Sequence, residues 1–254
     1  KLFDGEIRHL TTIDKSLITK FGFFLNGLNA SEIYLGQKIL ESCCSLDDIA
    51  RNQRGGMLQK FISTDGDVEI IGGAEVQQYY FRDSKAKINL SQVHDEKAYI
   101  KENSILVQNI IAHILNPVDH IKITASIASD QSILILDTIN QIKIVKEYSS
   151  KVILAILNSM FMNWYVYRFI FAKAVRTMHF DGPVTSRMPI PKIINKQIQV
   201  KLCLIIDEIT LAKSTDKLVD ISVLESQIDK LVYELYDLTD DEIKIIEGKK
   251  HGNI

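Results

Sequence analysis

Between residues 151 and 191 the chain reads KVILAILNSMFMNWYVYRFIFAKAVRTMHFDGPVTSRMPIP, and this stretch limits the possible folds most. Residues 152–172 are apolar almost throughout and carry the only tryptophan, Trp164, with five other aromatic side chains. A run of about 20 apolar residues suffices to span a bilayer. Here, however, Asn158, Ser159 and Asn163 interrupt the run and Arg168 stands near its end. Leu154, Leu157, Phe161, Trp164, Tyr165 and Arg168 recur at helical steps, so one face is distinguishable from another. The stretch is therefore read as a helix buried in a protein core, without a membrane partner. Its second half turns polar and holds three of the four prolines, Pro183, Pro189 and Pro191. From residue 151 to 200 there are seven Lys or Arg against one acid, Asp181, a local +6 in a chain of net charge −2. Two meanings stay open for that charge: a solvated face favoured by a helix C-terminus, or contact with DNA or RNA.

The 254 residues supply ample core for one large domain or two smaller ones, and scarce glycine and proline exclude collagen-like or disordered character. The chain opens at Lys1 without methionine, which reads as a piece of a longer protein. No basic region followed by an apolar one marks secretion. Cys43 and Cys44 are adjacent and Cys203 is remote, which fits reduced thiols in the cytoplasm better than zinc or disulfides.

Along the chain, residues 16–28 are apolar and are expected to pack on a segment upstream of this chain, while 31–43 reads as strand-like or irregular. Ser45 with Asp48 three residues on predicts a capped short helix. Arg51, Asn52, Gln53, Arg54, Gly55 and Gly56 read as a loop whose backbone can approach a ligand closely. Arginine and the side-chain amides pair bidentately with guanine and adenine edges; a solvated turn is the other meaning. Residues 68–71 read as a strand, Gly72–Gly73 as a turn, and Arg82, Lys85 and Lys87 as a polar basic patch. Residues 103–113 and 121–127 read as strands, and 132–136 with 139–145 as a hairpin. After residue 147 the pattern is helical: the long apolar stretch, then 195–213 with Val200, Leu202, Leu204, Ile205, Ile209 and Leu211 inside, then 219–236. Leu218, Ile221, Leu224, Ile228, Leu231 and Leu235 form its expected apolar stripe, predicting an antiparallel pair packed on the long helix. Thr239 and Glu242 box the start of a last short helix.

Catalytic constellations are missing. Asn116-Pro117-Val118-Asp119 begins like the Asn-Pro-Pro-aromatic loop of amino-methyltransferases but lacks the second proline and the ring on which a flipped base would stack. No strand, glycine-rich loop and helix form a nucleotide site. Asp67, Glu75 and Gln77 are faintly like a nuclease metal site without its lysine. The six histidines are scattered.

Leu157-Asn158-Ser159, Asn163-Trp164-Tyr165 and Pro189-Ile190-Pro191, followed by residues 228–243, IDKLVYELYDLTDDEI, resemble the pattern of TaqI-like C-terminal specificity domains. Those belong to adenine-N6 DNA methyltransferases, many fused to nucleases as type IIG restriction–modification enzymes, and type I specificity subunits carry a related target recognition domain. The resemblance covers about residues 45–247 and is strongest at the C-terminal end. It implies an α+β fold: a segment 1–44 linking to an upstream catalytic domain, a curved β-rich DNA recognition region at 45–147, and a helical region at 148–254 with a basic loop and an antiparallel helix pair. It further implies double-stranded DNA and the upstream methyltransferase domain as partners. S-adenosylmethionine, and magnesium if a nuclease is present, would belong to the parent enzyme and no cofactor to this chain. The DNA-binding residues expected are Arg51, Asn52, Gln53, Arg54 and Gly55; Arg82, Lys85 and Lys87; and Lys173, Arg176, Thr177, His179 and Arg187. Within that set residues 51–56 are expected to read base edges, and 172–187 to position the duplex through phosphates. The competing functions are a helical docking module without DNA contact, suggested by a net charge of −5 from residue 201 on, and a divergent nuclease around Asp67 and Glu75.

Overall fold

The computed structural model describes residues 12–22, 24–115, 119–128, 130–145, 147–174 and 177–248, with 2–3 and 6–7 as backbone alone. Asn116, Pro117 and Val118 lie outside the described residues, as does Arg176. The fold is α+β: nine α-helices among the described residues and several small sheets, none closed into a barrel.

Helix α1 (Lys15–Phe21) starts at Asp14, whose carboxylate accepts from Ser16 N at 2.7 Å, and stops at Gly22 in the left-handed region. It packs within this chain: Phe21 stacks on Phe169 at 5.2 Å between ring centroids, and Leu25 and Leu28 are buried in the same core. Phe24, in the same stretch, is exposed. Helix α2 (Ala30–Ser42) replaces the strand-like or irregular segment expected at 31–43. Its cause is a capping box, in which Asn29 Oδ1 accepts from Glu32 N at 2.8 Å and Glu32 Oε2 from Asn29 N at 2.9 Å. Helix α3 (Leu46–Ile49) carries the expected Ser45–Asp48 box.

The segment expected as an Arg51–Gly56 loop is instead a strand, Ala50–Arg54. It pairs antiparallel with Ile139–Ile144, which places Asn52 opposite Ile142 and Arg54 opposite Asn140. In that sheet Ala125–Ser126, Ser104–Gln108, Ile139–Ile144 and Ala50–Arg54 follow one another, so Ala50–Arg54 is an edge. Leu134–Ile135 does not pair with Ile139–Ile144 as the expected hairpin requires. It lies parallel to Val68–Ile71, with Lys87–Ile88 beyond, in a second sheet. The tight turn from Leu136 to Ile139 carries the chain from one sheet to the other. Gly55 is where the strand Ala50–Arg54 meets that turn: a Cβ there would stand 2.4 Å from Leu136 O. Glycine serves the approach of two backbones within the protein.

The apolar stretch is core, as expected, but not one helix. It divides into α4 (Ser150–Asn158), α5 (Met160–Tyr165) and a π-helical turn, Val166–Ile170. The break is Ser159, whose hydroxyl donates to Ile156 O at 2.7 Å and accepts from Met162 N at 3.2 Å. None of the helices among the described residues is long and apolar enough to cross a membrane. After the short α6 (Gly182–Thr185), helices α7 (Lys196–Thr215) and α8 (Ser222–Leu235) pack on each other and on α4 and α5. Their short connection sends α8 back along α7. Helix α9 (Asp240–Glu247) opens with the expected Thr239–Glu242 box.

On α7 the inward residues are Ile198, Leu202, Ile206 and Ile209. Val200, Leu204 and Leu211, expected inside, lie on the opposite side of the helix and are exposed. On α8 the burial centres on Ile228 and Val232, while Leu231 is half-buried and Leu218, ahead of the helix, is exposed. One large core joins Ile49, Ile105, Val107 and Ile142 from the sheet to α4, α5, α7 and α8. Two smaller cores lie around the second sheet.

Candidate nucleic-acid interface

The residues that carry the family resemblance turn out to be joints. Asn158 is buried and grips one backbone position twice: its Oδ1 accepts from Ala125 N at 3.1 Å, and its Nδ2 donates to Ala125 O at 3.0 Å. Asn163 Oδ1 accepts from Ile123 N at 2.7 Å. Together they fasten the outer strand of the main sheet to α4 and α5. Pro189–Pro191 pairs with Cys43–Ser45, and the buried Tyr236 hydroxyl donates to Pro189 O at 2.7 Å. A motif of this kind is selected by packing and by the need to satisfy buried polar groups.

A polar cluster lies at the other edge of the sheet, across it from the strand that Asn158 and Asn163 fasten. The segment Met178–His179 pairs with Ile110–Ile111. Phe180 follows, fully buried, and its backbone N donates to Asn109 O at 2.8 Å. The Phe180 carbonyl accepts from Asn52 Nδ2 at 3.0 Å and Asn140 Nδ2 at 2.8 Å. Anchored this way, the segment lays His179 and Asp181 beside the Ala50–Arg54 strand. Arg54 Nε donates to Asp181 Oδ1 at 3.2 Å, and Arg54 Nη2 lies 3.2 Å from His179 Nδ1. Asn109 Nδ2 lies 3.2 Å from the same ring nitrogen. Both side chains of the Arg54–Asp181 pair remain 41% exposed, so the cluster faces solvent. Beneath it the amide oxygens of Asn109 and Asn140 are buried with no hydrogen-bond partner among the described residues.

The two stretches expected to divide reading from positioning therefore meet in one site through Arg54, His179 and Asp181. Asp181, Asn109, Asn140 and Phe180 were missed as site residues. Only Asp181 left a trace in the sequence, as the lone acid of a basic stretch.

The other expected residues are placed as follows. Arg51 is exposed and its guanidinium donates to Asp47 O and Ala50 O, at 2.8 and 3.0 Å. Asn52 uses both ends of its amide within the protein, since its Oδ1 accepts from Asn140 Nδ2 at 2.8 Å. Gln53 points to the other side of the sheet, where its Oε1 accepts from Lys101 Nζ. Arg82, Lys85 and Lys87 are exposed, Lys87 on the outer strand of the second sheet. Thr177 is exposed next to Met178–His179.

The basic stretch supplies less free charge than its +6 suggests. Lys151 pairs with Asp207, Arg168 with Glu32 at 2.7 Å, and Lys173 reaches Gly27 O at 2.6 Å and Glu32 at 3.5 Å. Lys192 donates to Glu41 O at 3.3 Å. Arg187 is half-buried and donates to Pro183 O at 2.8 Å and Ile170 O at 3.4 Å; its partial burial holds its basicity below the usual guanidinium range. The buried carboxylate of Glu32 is the reason two of these cations turn inward.

Elsewhere, Glu75 closes its own turn by accepting from Gly72 N, while Asp67 ties to the distant Leu90 N, both at 2.8 Å. The described residues contain no group of three or more His, Cys, Asp or Glu placed to hold a metal ion. Burial pushes the Cys43 thiol up to about 12, far from a reactive thiolate.

No protein-family model and no curated protein matches the sequence. The solved structures similar to the chain include the following three. One describes complex assembly and conformational transition of a type I system, with TM-score 0.45 and 11% identity over 87% of this chain and 52% of that one. The second is the type IIG restriction endonuclease BpuSI, with TM-score 0.47 and 9% identity over 83% of this chain and 36% of that one. The third is the HsdS subunit from Thermoanaerobacter tengcongensis, with TM-score 0.38 and 9% identity over 81% of this chain and 50% of that one. The chain thus spans about half the length, or less, of the structures it resembles.

Proposed function

We propose that this chain is a sequence-specific duplex DNA recognition domain serving an adenine-N6 methyltransferase or restriction–modification enzyme of the cytoplasm. The observation that carries the proposal is the solvent-facing cluster on the edge of the main sheet. It unites Arg54, His179 and Asp181 from two distant stretches on a rigid support. The support is the buried Phe180 between His179 and Asp181, whose backbone is bonded to Asn109, Asn52 and Asn140. Arg82, Lys85 and Lys87, exposed on and beside the second sheet, are the cations assigned to phosphates. Methyl transfer with S-adenosylmethionine, and any magnesium-dependent cleavage, are assigned to a separate catalytic domain that this chain would contact.

One observation favours a second role. Val200, Leu204 and Leu211 give α7 an exposed apolar side that its own core does not use, which suits docking on another protein. Affinity for duplex DNA measured from low to moderate salt separates the two readings. A recognition domain loses affinity linearly in log–log form, and replacing Arg82, Lys85 and Lys87 together by alanine lowers the slope by about three phosphate contacts. Absence of salt-dependent duplex binding would leave only the docking role.

A further inference from the structure

The edge cluster also indicates which base it meets, an inference that rests on the DNA-recognition reading above. Arg54 Nη2 and Asn109 Nδ2 both reach His179 Nδ1, each at 3.2 Å. A guanidinium has no acceptor, so Nδ1 must accept and the ring proton must sit on Nε2. Asn109 Nδ2 shares the single lone pair of that nitrogen with Arg54. The exposed imidazole therefore carries a donor on its remaining nitrogen.

Arg54 is held by Nε on Asp181 and by Nη2 on His179, which restrains the guanidinium and leaves the N–H groups at its tip without a further partner among the described residues. The adenine-reading groups beside it are committed elsewhere. Asn52 has its Nδ2 on Phe180 O and its Oδ1 on Asn140, while Gln53 lies on the opposite side of the sheet with Lys101. Arg54 and His179 thus offer hydrogen-bond donors, and the duplex edge that presents paired acceptors in the major groove is guanine, through O6 and N7.

We propose that Arg54 reads a guanine in the major groove, with Asp181 and His179 as positioning residues that fix the guanidinium for a bidentate contact. The recognised site then contains at least one G·C pair that depends on Arg54.

The test starts from a pool of random duplexes retained by the intact protein at moderate salt, followed by sequencing of the bound fraction. The wild type should enrich a motif with an invariant guanine. Replacing that guanine by 7-deazaguanine, which removes the N7 acceptor, should weaken binding by about 5- to 100-fold. Arg54→Lys keeps the charge but not the fork, so it should retain non-specific binding, lose the preference for that guanine and respond little to 7-deazaguanine. Arg54→Ala should do the same with weaker binding throughout. Asp181→Asn should relax the preference partly. A wild-type motif that persists unchanged in Arg54→Lys and Arg54→Ala, or indifference of the wild type to 7-deazaguanine at every guanine, would overturn the inference and leave DNA recognition standing. If the wild type retains no duplex in a salt-dependent manner, the broader reading fails as well.

Discussion

Arg168 donates to Glu32 at 2.7 Å and Arg54 to Asp181 at 3.2 Å, yet the two pairs live in different surroundings. Glu32 is 7% exposed at its side chain, is shared with Lys173, and also closes the capping box of α2. Arg54 and Asp181 are each 41% exposed and hold one another at the surface. In the sequence neither arginine has its partner nearby: Arg168 stands in an apolar run and Arg54 in a polar one. What separates them is burial: a buried carboxylate needs its cations to stay folded, whereas an exposed pair contributes little and can exchange partners. The number of basic residues in a stretch is therefore a poor measure of its free charge.

The comparison can be broken most easily at its buried end. Arg168→Ala leaves Glu32 in the core with Lys173 alone and should cost about 3 kcal/mol in urea unfolding. A loss under about 1 kcal/mol would mean that Glu32 is not held in place by charge.

A third carboxylate sharpens the rule, because Asp229 has no ion-pair partner among the described residues. Its removal from water on α8 pushes its carboxyl up to about 6, helped by the nearby Glu225 and Glu247 and opposed by the hydrogen bond from Met160 N. A folded-state value above the unfolded one means that the folded protein binds the extra proton between about pH 4 and 6. The stability Asp229 contributes is complete below that window and lost as pH rises through 6. Asp229→Asn, which keeps an oxygen for Met160 N, should therefore be more stable than the wild type at pH 7.5 by on the order of 1–3 kcal/mol. The difference should shrink towards pH 4; a gap independent of pH would refute the assignment.

At the exposed end, Asp181→Ala should change unfolding free energy by less than about 1 kcal/mol. A larger loss would make the Arg54 pair structural, and the contrast with Arg168 would disappear.

Local chemistry made part of this architecture readable. Ser45 with Asp48 and Thr239 with Glu242 announce their helices because a capping box is complete within four residues. The same logic was available for α2, in Asn29 and Glu32, but its apolar residues are broken by Gly36 and read as irregular. The strand Ala50–Arg54 has no alternating apolar side, since its side chains meet polar partners. Nothing in ARNQR by itself calls for extension; its partner Ile139–Ile144 imposes it. The site was half-legible for a related reason. Arg54 and His179 could be singled out as residue types, but their meeting, and the role of Asp181, depend on Phe180 being buried between sheet and helices. That contact joins positions about 125 residues apart and leaves no spacing to recognise.

The central claim, that the sheet edge around Arg54 and His179 faces duplex DNA, is tested most directly by position-specific photocrosslinking. A benzophenone amino acid placed at Thr177, exposed beside the cluster, should crosslink to duplex DNA and be competed by unlabelled duplex. The same group at Leu204, on the exposed side of α7, should not. Crosslinks from position 204 with none from position 177 would contradict the account and place the DNA, if any, on the helices.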